Sequence, residues 1–299
     1  MKTGLKATGR MMATLVTAGS LLTAGALVAP AAQAAPAKPK APSIVAKGGF
    51  LLDGNTGRTY YGKYGDTRLS TGSTTKIMTA LVVLSTKGLS LDTKVTIDKS
   101  YSDYIVRKGA SSARLIVGDK VPVRALLYGL MLPSGCDAAY ALADKFGAGK
   151  TRAARVSSFI GKMNATAKSL GMTNTKFDSF DGISNGSNYS TPRDLSKLAS
   201  KALKNNNFRA IVKTRSTTQR VTTKSGGYRN MAWTNTNKLL GSYSGAIGVK
   251  TGSGTQAKYC LVFAATRGNR TVVGAVLASS NEVNRTADAK KIMDYGFKL

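Results

Sequence analysis

Histidine is absent from all 299 residues, and glutamate occurs once, at Glu282. Without an imidazole no Ser-His-Asp triad can form, so any base must be lysine, aspartate, tyrosine or Glu282. Cysteine is nearly as scarce. Cys136 and Cys260 allow one disulfide at most, and with no histidine and no paired cysteine motif the chain offers no zinc site. No metal or other cofactor is expected. Acidic side chains are also few, 14 against 44 basic ones, which leaves a formal charge of +30.

Long apolar runs are missing as well. The stretch at 11–28 follows Lys2, Lys6 and Arg10 but is interrupted by small residues, and it falls short of the about 20 apolar residues that a spanning helix needs. With Ala32-Gln33-Ala34 as a cleavage pattern, residues 1–34 read as a signal peptide. Residues 35–44 then read as a Pro-rich linker, and residues 45–299 as the folded part. The expectation is a secreted, envelope-associated monomer. Outside the cell the balance of +27 left after residues 1–34 points to anionic wall polymers or membrane surfaces, not to nucleic acid.

The remaining pattern mixes strands and helices. Residues 49–53 and 58–61 flank a Gly/Asn turn and predict a hairpin. The run 73–84 is apolar almost all round and predicts a buried helix, stopped by Gly88. Two helices are expected between 121 and 146, separated by Pro133-Ser134-Gly135, and another over 156–170. Thr191, Pro192 and Asp194 have the chemistry of a helix start and are read as structural. Residues 246–252, 258–266 and 270–278 predict three strands, and 285–297 a closing helix. Strands, many helices, strands and a helix predict an α+β fold, with an antiparallel sheet built from both chain ends and a helical region inserted between them.

Three short motifs carry candidate chemistry. Ser73-Thr-Thr-Lys76 places a hydroxyl and an amine three residues apart on one helical face. A lysine acts as a base only when neutral, and burial and a second nearby cation both favour that form. Ser134, in the turn before Cys136, can relay a proton. Lys250-Thr251-Gly252 ends a strand, where Lys250 offers a positive charge to a carboxylate, Thr251 a hydroxyl, and Gly252 a close backbone approach. If Ser73 begins the helix, its N–H and that of Ser253 are the natural oxyanion donors.

Ser-x-x-Lys, Ser-x-x and Lys-Thr-Gly in this order characterise penicillin-binding proteins and class A β-lactamases. The stretches GSTTKIMTALV, LLYGLMLPSGCDAAYALA, MNATAKSLGMTNTKFDSFDGIS, YSTPRDLSKLA and GVKTGSGTQAKYCLVFAAT extend the likeness over most of 49–279. The chain resembles the low-molecular-mass penicillin-binding proteins, exported serine D-alanyl-D-alanine carboxypeptidases and transpeptidases. The resemblance implies a five-stranded antiparallel sheet flanked by helices with an inserted all-helical region. It sets a sheet lobe at about 45–72 and 225–299 and a helical lobe at about 73–224. It implies Ser73 as acyl-ester nucleophile, Lys76 as its base and Ser134 as relay, with Lys250 and Thr251 on the terminal carboxylate of a stem peptide ending in D-Ala-D-Ala. β-Lactams become covalent inhibitors. The extra C-terminal β-domain of many relatives is not expected here.

Cys136 departs from the family pattern, which has asparagine there. A thiol is a weaker donor and acceptor than an amide, and the expected consequence is acyl transfer to amines in preference to water. A Cys136–Cys260 disulfide is not expected. The alternatives are a β-lactamase of the same fold, disfavoured because Glu282 lies beyond the last motif, and an inactive module that binds anionic wall polymer or senses β-lactams.

Overall fold

The computed structural model describes residues 13–15, 39–184 and 186–299. Apart from 13–15, which have no regular structure, the segment read as a signal peptide lies outside the described residues, as do 35–38 of the linker. Residues 38–299 form one compact unit. Its centre is a five-stranded antiparallel sheet in the order β2-β1-β9-β8-β7, made of β1 (Gly48–Asp53), β2 (Thr59–Lys63), β7 (Ala246–Gly254), β8 (Lys258–Arg267) and β9 (Arg270–Ser279). Both chain ends therefore contribute, as the pattern predicts.

The inner strands are apolar without a break because the sheet is covered on both faces. Phe50, Leu52, Val262, Ala264, Val273 and Ala275 turn to the larger core, where they meet Ile77 and Met78 of α1 (Lys76–Leu84). Leu51, Leu261, Phe263, Val272 and Val276 turn to the other face and pack on Ala289, Ile292 and Met293 of α8 (Glu282–Lys298). Asp288 of α8 accepts the amides of Val45 and Ala46, and Lys63 Nζ donates to the carbonyls of Ile44 and Ala46. The last linker residues are thus laid against the sheet.

Between the two halves of the sheet come α2 (Lys99–Lys108), α3 (Val123–Met131), α4 (Cys136–Phe146), α5 (Arg152–Ser169), α6 (Pro192–Ala202) and α7 (Asn206–Lys213). The expectation of an all-helical insert needs one correction. A second antiparallel sheet, in the order β3-β4-β5-β6, is formed by β3 (Lys94–Thr96), β4 (Lys120–Pro122), β5 (Ser216–Thr222) and β6 (Tyr228–Thr234). Its strands are polar on the exposed face, and of β5 and β6 only Val221, Met231 and Trp233 are buried. That is too weak an alternation to stand out in the sequence.

Other local features follow from single residues. Thr191 caps α6 by accepting the Asp194 amide at 3.0 Å, with Pro192 in the first turn. Asp194 also accepts from Asn174 N and Thr175 Oγ1, tying α6 to the segment after α5. The helix expected from Ser73 begins later: Gly72–Thr75 is a 3-10 turn that feeds α1 at Lys76.

Candidate active site

The 3-10 turn is fixed by hydroxyls and one amide. Asn188 Nδ2 donates to Thr71 Oγ1 at 2.7 Å and to Thr75 Oγ1 at 3.2 Å, and Thr74 Oγ1 donates to Thr71 O. Both neighbours of this turn approach through glycine. A Cβ on Gly72 would lie 2.9 Å from Ser253 O, and one on Gly182 would lie 1.9 Å from Gly72 O. Ser73 is thereby held between the edge strand β7 and the loop at 178–184.

Lys76 is fully buried, with Nζ 2.8 Å from Ser73 Oγ, 3.2 Å from Cys136 Sγ and 3.2 Å from the main-chain oxygen of Asp181. No carboxylate is bonded to it among the described residues. Lys250 is also buried, and its Nζ donates to Thr251 O at 3.1 Å. Burial, then the charge of Lys76 and that of Arg285, hold the Lys250 amine well below the usual lysine range. An anion placed beside this amine would favour its charged form.

Cys136 opens α4, and burial outweighs the nearby Lys76 charge and pushes its thiol up. Cys260 is buried on β8, its thiol pushed up to about 11, and both cysteines are free. Ser134 adopts a left-handed φ of 68° in the turn between α3 and α4. Its Oγ is buried without a hydrogen-bond partner among the described residues. The expected link from Ser134 to Lys76 is not made here, and the bond to that side of the amine comes from Cys136.

These groups surround a cavity of about 890 Å³ lined by Ser73, Ser134, Cys136, Thr251 and Ser253, with Lys76 and Lys250 buried just behind. Thr236 and Arg285 also line it, and neither was singled out by sequence. Thr236 Oγ1 pairs with Thr251 Oγ1 at 2.7 Å, and Arg285 NH1 donates to Gly252 O and Cys260 O. Arg285 Nε is buried without a partner among the described residues. No short motif marks them, because they reach the site from segments that meet only in the folded chain. Glu282, set apart from the motifs by its position in the sequence, returns to the cavity wall and pairs with Arg285 at 3.0 Å.

A Ser-Lys pair on the first helix after the opening hairpin, facing a Lys-Thr-Gly strand at the edge of a five-stranded sheet, defines an active-site-serine protein with the penicillin-binding-protein fold. The D-alanyl-D-alanine carboxypeptidase family profile matches residues 34–281. A D-alanyl-D-alanine carboxypeptidase of Streptomyces sp. is 66% identical over 86% of this chain and 89% of its own length. One of Bacillus subtilis is 32% identical over 84% of this chain, and the match spans 62% of that relative. A crystal structure of a Streptomyces DD-transpeptidase superposes with a TM-score of 0.86 at 66% identity, covering 87% of this chain and 100% of the other. A penicillin-binding protein homologue from Mycobacterium tuberculosis gives 0.76 at 29% identity, over 88% and 95%. The chain belongs to the D-alanyl-D-alanine carboxypeptidase family.

Proposed function

We propose that the protein cleaves peptidoglycan stem peptides ending in D-Ala-D-Ala through an acyl-ester on Ser73. Lys76 takes the Ser73 proton as Oγ attacks the penultimate carbonyl carbon, and Ser134 relays a proton to the nitrogen of the departing D-Ala. The ester then passes to water or to an amine. The amides of Ser73 and Ser253 receive the developing oxyanion. Lys250 and Thr251 take the terminal carboxylate, and β7, an edge strand, lets the peptide add as a further strand. Cys136 in place of an amide biases the ester toward amines.

The observation that carries this reading is the buried Lys76 amine, 2.8 Å from Ser73 Oγ and without a bonded carboxylate among the described residues. Benzylpenicillin is expected to add its own mass once, at Ser73, in an adduct that persists. Intact-mass spectrometry tests this, and an adduct retained by Ser73→Ala overturns the assignment.

Export and anionic polymer as a wall partner complete the proposal. No helix among the described residues is long and apolar enough to cross a membrane. The solvent face of the four-stranded sheet supports the polymer. By register Lys94, Lys120 and Arg220 share that face with Tyr228, and no carboxylate pairs with these three cations among the described residues. Arg220 lies over the exposed Tyr228 ring at 3.6 Å.

A further inference from the structure

Lys76 is surrounded by groups of unequal charge. The 3-10 turn gives Ser73, α4 the Cys136 thiol and β7 Lys250, whose other neighbouring cation is Arg285 of α8. The loop at 178–184 gives Asp181, which is fully buried. Its Oδ2 accepts from the Tyr104 hydroxyl on α2 at 2.9 Å and its Oδ1 from Ile183 N at 2.9 Å. No basic side chain pairs with this carboxylate among the described residues. Burial and the Asp181 charge push the Tyr104 phenol up, so it stays a hydrogen-bond donor.

The same residue touches the base. Asp181 O accepts from Lys76 Nζ at 3.2 Å, and Thr79 Oγ1, one turn along α1, donates to Phe180 O. Within one aspartate the carboxylate lies no more than about 5 Å from its own carbonyl oxygen, which sets the charge within about 8 Å of Nζ. Cys136 reports that proximity. Its thiol is pushed up by burial and further by the Asp181 charge, and its sulfur is 3.2 Å from Lys76 Nζ.

We infer that Asp181 is a positioning residue for Lys76, and that its carboxylate supplies the negative charge that steadies the ammonium formed when Lys76 takes the Ser73 proton. The inference rests on the proposed function. In acylation the Ser73 O–H bond breaks, the proton moves to Nζ, Oγ bonds to the carbonyl carbon, and the scissile C–N bond breaks with a proton delivered to nitrogen. A neutral amine thus becomes a cation at a fully buried position to which no carboxylate is bonded among the described residues. A charge about 8 Å away, at an effective dielectric of about 20, changes such a step by roughly 30-fold.

The test is the rate of acylation by benzylpenicillin across pH for the full chain, Asp181→Asn and Tyr104→Phe. Asp181→Asn keeps the main-chain oxygen and an acceptor for Ile183 N but removes the charge. Its plateau is expected to fall about 30-fold and its acid limb to move to lower pH, because the ammonium has lost its counter-charge. Tyr104→Phe keeps the charge and loosens its anchor, so the plateau falls a few-fold while the acid limb stays in place. An Asp181→Asn plateau that falls without movement of the limb overturns the charge assignment, and an unaltered profile overturns the inference. If Asp181→Asn does not fold, Tyr104→Phe decides, and a wild-type rate in it counts against the inference. Failure of the wild-type protein to be acylated sinks the proposed function, whereas acylation at Ser73 with an indifferent Asp181→Asn sinks this inference alone.

Discussion

Gly182→Ala tests whether the loop at 178–184 sets the geometry of the Ser73–Lys76 pair. Gly182 has φ +94°, and an alanine Cβ there would stand 1.9 Å from Gly72 O and 2.4 Å from Gly72 C. The obstacle is backbone, which cannot rotate away as a side chain would. The loop and the 3-10 turn must therefore part by roughly 1 Å to regain ordinary contact. The left-handed conformation adds about 1–2 kcal/mol and the overpacking about 1–3 kcal/mol, or about 2–5 kcal/mol together. For a chain of this size that lowers Tm by about 5–15 °C and leaves a folded protein. The loss of function is expected to be larger. Gly72 precedes Ser73, and Asp181, which precedes Gly182, bonds Lys76 Nζ at 3.2 Å. A displacement of about 1 Å at reacting groups costs on the order of 100-fold in rate. Stopped-flow acylation by a chromogenic β-lactam at a temperature where the variant is folded by circular dichroism measures it. A variant that melts lower but acylates at the wild-type rate would refute the reasoning.

Lys250 gives a pH signature. An anionic ligand returns the depressed amine to its charged form, so the affinity for benzylpenicillin should be highest at low pH and fall as pH rises through the Lys250 titration. The methyl ester, which lacks the carboxylate, should show a much flatter dependence, and parallel profiles would count against Lys250 as the carboxylate's partner. Stability carries the opposite sign. The unfolded chain holds the Lys250 proton up to about pH 10.4 while the folded chain releases it earlier, so this residue's contribution grows as pH rises across that window. Cys136→Asn should shift the products from an acyl-D-Ala-D-Ala peptide toward the free acid when an amine acceptor competes, as read by chromatography. An unchanged ratio removes Cys136 from partitioning. Replacing Lys94, Lys120 and Arg220 by alanine should weaken binding to poly(glycerol phosphate) and flatten its salt dependence. Loss of three exposed lysines elsewhere, Lys168, Lys201 and Lys291, should do less, and equal losses would mean that net charge alone acts.

Much of the site was legible because its chemistry is local. Ser73 and Lys76 are three residues apart, so one turn of helix brings them together wherever the helix sits. The turn at 133–135 and the strand at 246–252 were marked by proline, glycine and a β-branched alternation. The helix start at Thr191 was readable for the same reason. The second sheet was not, since β5 and β6 expose most of their length and their few apolar residues pack on helices far away in sequence. Nor was α2, in which only Tyr101 and Tyr104 are buried.

The sequence by itself determined the strands of the five-stranded sheet, the buried α1 and the absence of any histidine-dependent chemistry, because these depend on composition and on periods of a few residues. Tertiary structure alone decided which charges surround Lys76. Asp181 and Lys250 lie 105 and 174 residues from it along the chain, and no spacing rule connects them. Electrostatic interaction depends on distance through the folded protein and on burial. The sequence could therefore pair Lys76 with Ser73, but only the fold could bring a buried aspartate to the same amine and bury Lys250 beside it.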